Sequence, residues 1–393
     1  LKGVKMLLPA HRMIIEDGRV LIERYWSLGR NRRPELGKLS YQEQVQVLSE
    51  TLDETVRMQM VSDVPLGAFL SGGVDSTILV AMMARKAGRR IKTFSVGFGA
   101  EGIAIDESED ARRTAEFLGT DHTHVLVQGT DVRDSIFHIA SGLDQPTVDG
   151  VNSYFISRAA RQGMTVAISG TGGDELFAGY PWFLAMAQDR PPFYGARLLA
   201  FVARQAIFDP LISGRLGSKL YRMRTMDGFL SRYATQYQIF GSLGAMETLS
   251  PELRYIARAG QAEHFDLQAI DELRHGSAIE RVTGLCIRGY TNNQLLRDID
   301  AAGMSHSLEI RVPFLDTVIA DLALSLPDEA KLGPFASYSQ QDTYRATGAK
   351  RILIDAGRAL LPKDFDLQPK RGFIMPFDQW LSGPLKDIFE YGC

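Results

Sequence analysis

The spacing of apolar positions changes character about halfway along this chain. Between Tyr41 and Met60, the residues Val45, Leu48, Leu52, Val56 and Met60 recur at helical intervals and predict a helix with one buried face. Short apolar runs then alternate with helical stretches. Strands are expected at Gly67–Leu70, Ile91–Phe98, His124–Val127 and Thr165–Ser169. Helices are expected from near Asp75, then at Asp106–Leu118, Asp131–Ser141 and Asn152–Gln162. This alternation predicts an α/β fold, a doubly wound and mostly parallel sheet covered by helices on both faces. Ligands on such sheets bind beyond the carboxyl ends of the strands. From about Pro181 the strand pattern fades, helical spacing dominates, and aromatic and arginine residues become frequent, which predicts a helical C-terminal lobe.

Residues 1–26, with a short turn at Glu16-Asp17-Gly18-Arg19, read as a β-rich edge. Residues 27–40, with four basic residues, Pro34 and two glycines, read as a linker. The expected division is therefore 1–40 as an N-terminal remnant plus linker, 41–185 as an α/β core, and 186–393 as the helical lobe. The chain opens on leucine and its last expected element, around Trp380–Tyr391, has no clear cap, so both ends read as cut from a longer protein.

Composition narrows the function classes. A chain of 393 residues that is 45% hydrophobic can bury a large core. A net charge of −3 gives no reason to expect a nucleic-acid partner. No apolar run is long enough to span a membrane and no signal peptide opens the chain. Cys286 and Cys393 suggest neither a disulfide framework nor a zinc site, so a cytoplasmic location is the default expectation.

The most informative stretch is residues 65–77, Pro-Leu-Gly-Ala-Phe-Leu-Ser-Gly-Gly-Val-Asp-Ser-Thr. An apolar strand runs into a Ser-Gly-Gly turn that opens a helix. Adjacent glycines let backbone N–H groups approach a ligand closely. The helix start adds unpaired donors and the positive end of its dipole. Together they form a cradle for phosphate. Asp75 would repel a phosphate unless Mg²⁺ sits between the two, held by carboxylate and phosphate oxygens. An ordinary strand-to-helix turn is the plainer alternative. The segment is not a Walker A loop, for it has neither the lysine nor the spacing. It resembles the Ser-Gly-Gly-x-Asp-Ser loop of the ATP pyrophosphatases, which hold the β,γ-pyrophosphate as leaving group.

A second strand ends in Ser169-Gly170-Thr171-Gly172-Gly173-Asp174-Glu175 and repeats this logic. Asp174 either caps the following helix or faces Asp75 as a second Mg²⁺ ligand. Between the two motifs, Thr93–Phe98 ends a strand where adenine could lie against the backbone, or is simply a buried strand. Lysines at Lys350 and Lys370 could neutralise charge on a departing pyrophosphate, although a lone lysine is ordinarily a solvated surface residue.

Pro65–Ser76, Ser169–Tyr180, Ser307–Asp316 and Lys370–Phe373, in that order, resemble the synthetase domain of the glutamine-dependent asparagine synthetases. The Asp106-Glu107 and Leu118–His122 segments also fit, and residues 1–26 are similar to the tail of that family's glutaminase domain. The resemblance implies an enzyme that uses ATP and Mg²⁺ to adenylate the side chain of aspartate, then aminolyses it with ammonia. It implies a glutaminase domain upstream in cis as ammonia source, small-molecule substrates, and no membrane partner, with homodimerisation left open. Carried over by position, Ser71, Gly72, Gly73 and Ser76 hold pyrophosphate, while Asp75 and Asp174 hold Mg²⁺. Phe69, Val96 and Gly97 flank adenine, Leu70 is a further cofactor-binding position, Ser169 and Gly170 approach ribose or substrate, and Lys350 faces the phosphates. Two departures bear on the acceptor. Thr171 stands where many members carry an acidic residue, and the Asp144–Asn152 loop offers Asp144 and Asp149 in place of a basic residue. Amidation of a different carboxylate and a non-catalytic relative therefore remain as alternatives.

Overall fold

The computed structural model describes residues 3–102, 107–143, 145–147, 150–188, 195, 198, 202, 228–237, 249–253, 267–334, 343–369, 372 and 375–392. Asp106, Asp144, Asp149, Lys370, Arg371, Phe373 and Cys393, all raised by the sequence, lie outside the described residues.

The N-terminal β-rich edge is a hairpin of β1 (His11–Glu16) and β2 (Arg19–Arg24), paired antiparallel. Its turn residues Asp17 and Gly18 both have positive φ, 48° and 73°, as a tight two-residue hairpin turn requires. Leu7, Leu8 and Ile14 are exposed, as are Met13, Ile15, Val20 and Ile22. The expected linker contains a 3₁₀ turn at Pro34–Lys38.

Helix α1 (Tyr41–Gln59) starts on a capping box in which Ser40 and Glu43 satisfy each other's backbone N–H. The helical spacing of its apolar residues is borne out, since Leu48, Leu52 and Val56 are fully buried.

The five-stranded sheet consists of β3 (Leu66–Phe69), β4 (Lys92–Gly97), β5 (Asp121–Leu126), β6 (Val166–Ile168) and β7 (Glu309–Arg311), in the order β5-β4-β3-β6-β7 and parallel throughout. Its connections use α2 (Val74–Lys86), α3 (Ser108–Leu118), α4 (Gly129–Gly142) and α5 (Gly150–Ala160). The chain winds outward from β3 through β4 to β5, then returns to the other side of β3 at β6. That reversal is the switch point where the loops after two neighbouring strands splay apart and leave a crevice. Register places Ala68 beside Ile168, so the loops after β3 and β6 leave the sheet at the same height. Val96, Phe98, Tyr154, Phe155 and Trp380 share one buried cluster, and Phe94, Met164, Ala167 and Leu308 another.

Strand β7 lies in a region the sequence reads as helical. It spans three residues with a single apolar side chain, Ile310, too short for an alternating pattern to show. Its pairing to β6 is a tertiary event. By contact the chain forms two compact units, 1–177 with 290–393, and 178–289. Residues 290–393 thus group with the sheet, where the sequence placed them in one lobe with 186–289. Within the second unit, the helix Ala278–Cys286 opens on a Ser277–Glu280 capping box. There Arg281 grips Asp271 through two bonds from Nε, 2.9 and 3.0 Å long.

Candidate active site

The turn after β3 is closed by its own hydroxyls. Ser71 N donates to Ser76 Oγ (3.2 Å), the Ser71 and Ser76 hydroxyls lie 3.1 Å apart, and Ser76 Oγ donates to Gly73 O (3.2 Å). Gly72 has φ +80°, and a Cβ there would sit 2.8 Å from Ala111 N in α3. Only glycine satisfies both that backbone conformation and that approach. Gly73 is the N-cap of α2, and Asp75 lies in its first turn.

The turn after β6 is built against the first one. The Ser169 and Thr171 hydroxyls are 3.0 Å apart, and Thr171 N donates to Ser169 Oγ (3.4 Å). A Cβ on Gly170 would fall 2.9 Å from Ser76 N, and one on Gly173, at the start of α6 (Gly173–Leu176), 2.3 Å from Asp75 Oδ1. The glycines of the second motif therefore serve a purpose the sequence did not disclose. They let the two turns touch.

Into this junction comes Lys350, from 275 residues beyond Asp75. Its Nζ donates to Asp75 Oδ2 and, at 2.7 Å, to Asp174 Oδ1. The lysine is 1% exposed, whereas the two aspartates keep 17% and 22% of their side-chain surface open to solvent. Lys350 precedes the helix Arg351–Gly357, which packs on α1. Gly357 of that helix lies so close to Ile78 that a Cβ would meet its Cγ1 at 2.6 Å. The helix is thereby seated beside α2, with its N-terminal lysine at the aspartates.

Burial by itself would push the Lys350 ammonium's pKa down, but Asp174 and Asp75 outweigh it and the net direction is up. The two carboxylates thus hold the lysine in its charged form. Tyr344, 5% exposed, has its phenol pKa raised chiefly by burial, and it feels Lys350, Asp174, Asp75 and Glu107.

Two carboxylates converging on one cation are a hard-oxygen donor pair suited to Mg²⁺, which commonly takes one or two carboxylates and completes its shell with phosphate and water. Among the described residues no group of three or more His, Cys, Asp or Glu side chains could hold a metal by itself. The donor set therefore fits a cation that arrives with a phosphate.

The structure gathers Ser71, Gly72, Gly73, Asp75, Ser76, Ser169, Gly170, Thr171, Asp174 and Lys350 around the two turns. Phe69, Leu70, Val96 and Gly97 lie at the ends of the neighbouring strands β3 and β4. There Leu70 N donates to Phe94 O (2.9 Å), and Val96 packs in the buried cluster with Trp380. Sequence reasoning missed Glu175, a carboxylate 1% exposed that accepts from Thr291 Oγ1 (3.3 Å), and it missed Tyr344. Glu175 meets Thr291 from 116 residues away, and the burial of Tyr344 leaves no local pattern in the sequence.

Fold and site define a parallel α/β protein with paired glycine turns at its switch point, two aspartates and a buried lysine. The chain belongs to the asparagine synthase family, whose model matches residues 47–392. It is 30% identical over 352 residues to asparagine synthetase [glutamine-hydrolyzing] 1 of Bacillus subtilis, covering 87% of this chain and 51% of that protein. It is 26% identical over 419 residues to the amidase chry2 of Gibberella zeae, covering 99% of this chain and 61% of that protein. The chain thus spans about half to three-fifths of the length of these relatives. Among solved structures, an NH3-dependent NAD synthetase from Campylobacter jejuni is 15% identical, covering 57% of this chain and 95% of its own, with a TM-score of 0.24. No helix among the described residues is long and apolar enough to cross a membrane.

Proposed function

We propose that this protein forms an amide from ATP, a carboxylate and ammonia, in two steps. The carboxylate attacks the α-phosphorus of ATP, giving an acyl-adenylate and pyrophosphate. Ammonia then attacks the acyl carbon and AMP leaves. The supporting observation is the convergence of Asp75, Asp174 and Lys350 on the Ser71–Ser76 turn at the switch point between β3 and β6.

In this reading the Ser71–Gly73 backbone and Ser76 cradle the pyrophosphate, and Phe69, Leu70, Val96 and Gly97 border adenine. Ser169 and Gly170 approach ribose or acceptor. Asp75 and Asp174 would hold Mg²⁺, which when bound neutralises charge on the phosphates. Lys350 stabilises the charge that builds on the leaving pyrophosphate, an interaction stronger in the transition state than in the ground state.

Aspartate is the acceptor that membership of the family suggests. A different carboxylate is favoured by Thr171, whose hydroxyl bonds Ser169 and cannot serve as a base near neutral pH. Ammonia from an upstream glutaminase domain belongs to the same proposal, with the exposed apolar face of β1 and β2 as the surface such a domain would cover. Pyrophosphate release from ATP, assayed with ammonium and a panel of carboxylates, tests the reading. Release that depends on one carboxylate identifies the acceptor, and release with none rejects adenylation.

A further inference from the structure

Lys350 holds the position that the metal reading assigns to a cation. Its ammonium lies within hydrogen-bond reach of both aspartates and is almost wholly enclosed. Its backbone is left-handed, φ +55°, a conformation sparsely populated by residues with a Cβ and maintained only where surroundings over-determine it. The two ion pairs provide that constraint. A divalent ion and an ammonium compete for one small seat between two carboxylates, because like charges a few ångströms apart beside an enclosed lysine repel each other strongly.

We propose that Lys350 is an exchangeable occupant of this seat. In the nucleotide-free protein its ammonium closes the gap between Asp75 and Asp174 and keeps free Mg²⁺ out. Arrival of the metal with a polyphosphate releases the lysine, which then has phosphate oxygens as its new partners. The site therefore takes metal and nucleotide together and does not load with metal first. This inference rests on the proposed reading of the two aspartates as metal ligands.

The test uses Mn²⁺ as a spin-active substitute for Mg²⁺, with free Mn²⁺ counted by electron paramagnetic resonance and no nucleotide present. Lys350→Gly removes the ammonium while suiting the left-handed backbone, and Lys350→Gln keeps much of the bulk. Both variants should bind one Mn²⁺ at least about tenfold more tightly than the unmodified protein, because a competing cation is gone from between the two carboxylates. Mn²⁺ should also raise their melting temperatures more than it raises that of the unmodified protein. That gain should vanish when Asp174→Asn is added.

Equal or weaker Mn²⁺ binding in both variants overturns the exchange. If Mn²⁺ together with α,β-methylene-ATP still binds the unmodified protein in a way that Asp174→Asn abolishes, the metal reading survives and only the exchange fails. If neither Asp75→Asn nor Asp174→Asn alters Mn²⁺ binding even with that analogue, both fail.

Discussion

Replacing Gly173 by alanine would set a methyl carbon 2.3 Å from Asp75 Oδ1 and 2.5 Å from its Cγ. Real Cβ atoms essentially never approach closer than 3.0 Å. The carboxylate must therefore retreat by about 0.7 Å or more, close to the displacement at which a misplaced group costs on the order of a hundredfold in rate. The retreat is not free to go in any direction. Asp75 Cβ is itself 3.2 Å from the new methyl, and Lys350 holds the other carboxylate oxygen. Overpacking of this kind typically costs about 1–3 kcal/mol of stability, so the variant should fold with a lowered melting temperature. Exchange of labelled pyrophosphate into ATP, measured with acceptor present, should fall roughly a hundredfold. Gly37→Ala is the control, because the nearest atom to its new methyl is Ser325 O at 3.9 Å. Wild-type exchange in Gly173→Ala would refute the claim that contact between the two turns positions Asp75.

Lys350→Ala should bind ATP within a few-fold of normal yet exchange pyrophosphate about a hundred- to a thousandfold more slowly, the loss of one preorganised electrostatic contact; a normal exchange rate would remove Lys350 from the chemistry. Burial, with His124 nearby, holds the His122 imidazole below its usual 6.5. The unfolded chain therefore binds that proton more readily, so His122's contribution is intact above 6.5 and falls as pH drops from there towards the native pKa. Urea midpoints compared at neutral and mildly acidic pH should show a smaller acid loss in His122→Asn, and an equal loss in both proteins would contradict this assignment. Trp380 Nε1 donates to Glu101 Oε2 (2.5 Å), which also accepts from Gly129 N (2.9 Å). Trp380→Phe should cost about 1–3 kcal/mol through loss of one of the two bonds to this carboxylate, and a double-mutant cycle with Glu101→Gln should show coupling between the two residues. Strict additivity would mean that this bond holds nothing in place.

The local patterns announced their elements. Val45, Leu48, Leu52 and Val56 marked α1, and the apolar runs before Ser71 and Ser169 marked β3 and β6, because a buried helix face and a buried parallel strand each leave a periodic or continuous apolar trace. The Ser-Gly-Gly turn and the two aspartates were equally legible, since close backbone approach demands glycine at adjoining positions. Strand β7 left no such trace, for Glu309–Arg311 becomes a strand only by pairing with β6. Gly170 and Gly173 read as part of a second ligand-facing glycine turn, and only the folded chain shows that they are spaces for Ser76 and Asp75. Lys350 was placed by resemblance, not by its neighbours. Nothing around Ala349-Lys350-Arg351 distinguishes it from a surface lysine, and its burial follows from how Arg351–Gly357 seats against α1 and α2. Sequence thus determined which segments could turn, bind phosphate and carry charge, because those capacities reside in single residues and their immediate spacing. Tertiary structure alone decided that two carboxylates and one ammonium from three distant segments meet. Compensation of a buried charge depends on distance in space, and spacing along the chain does not contain it.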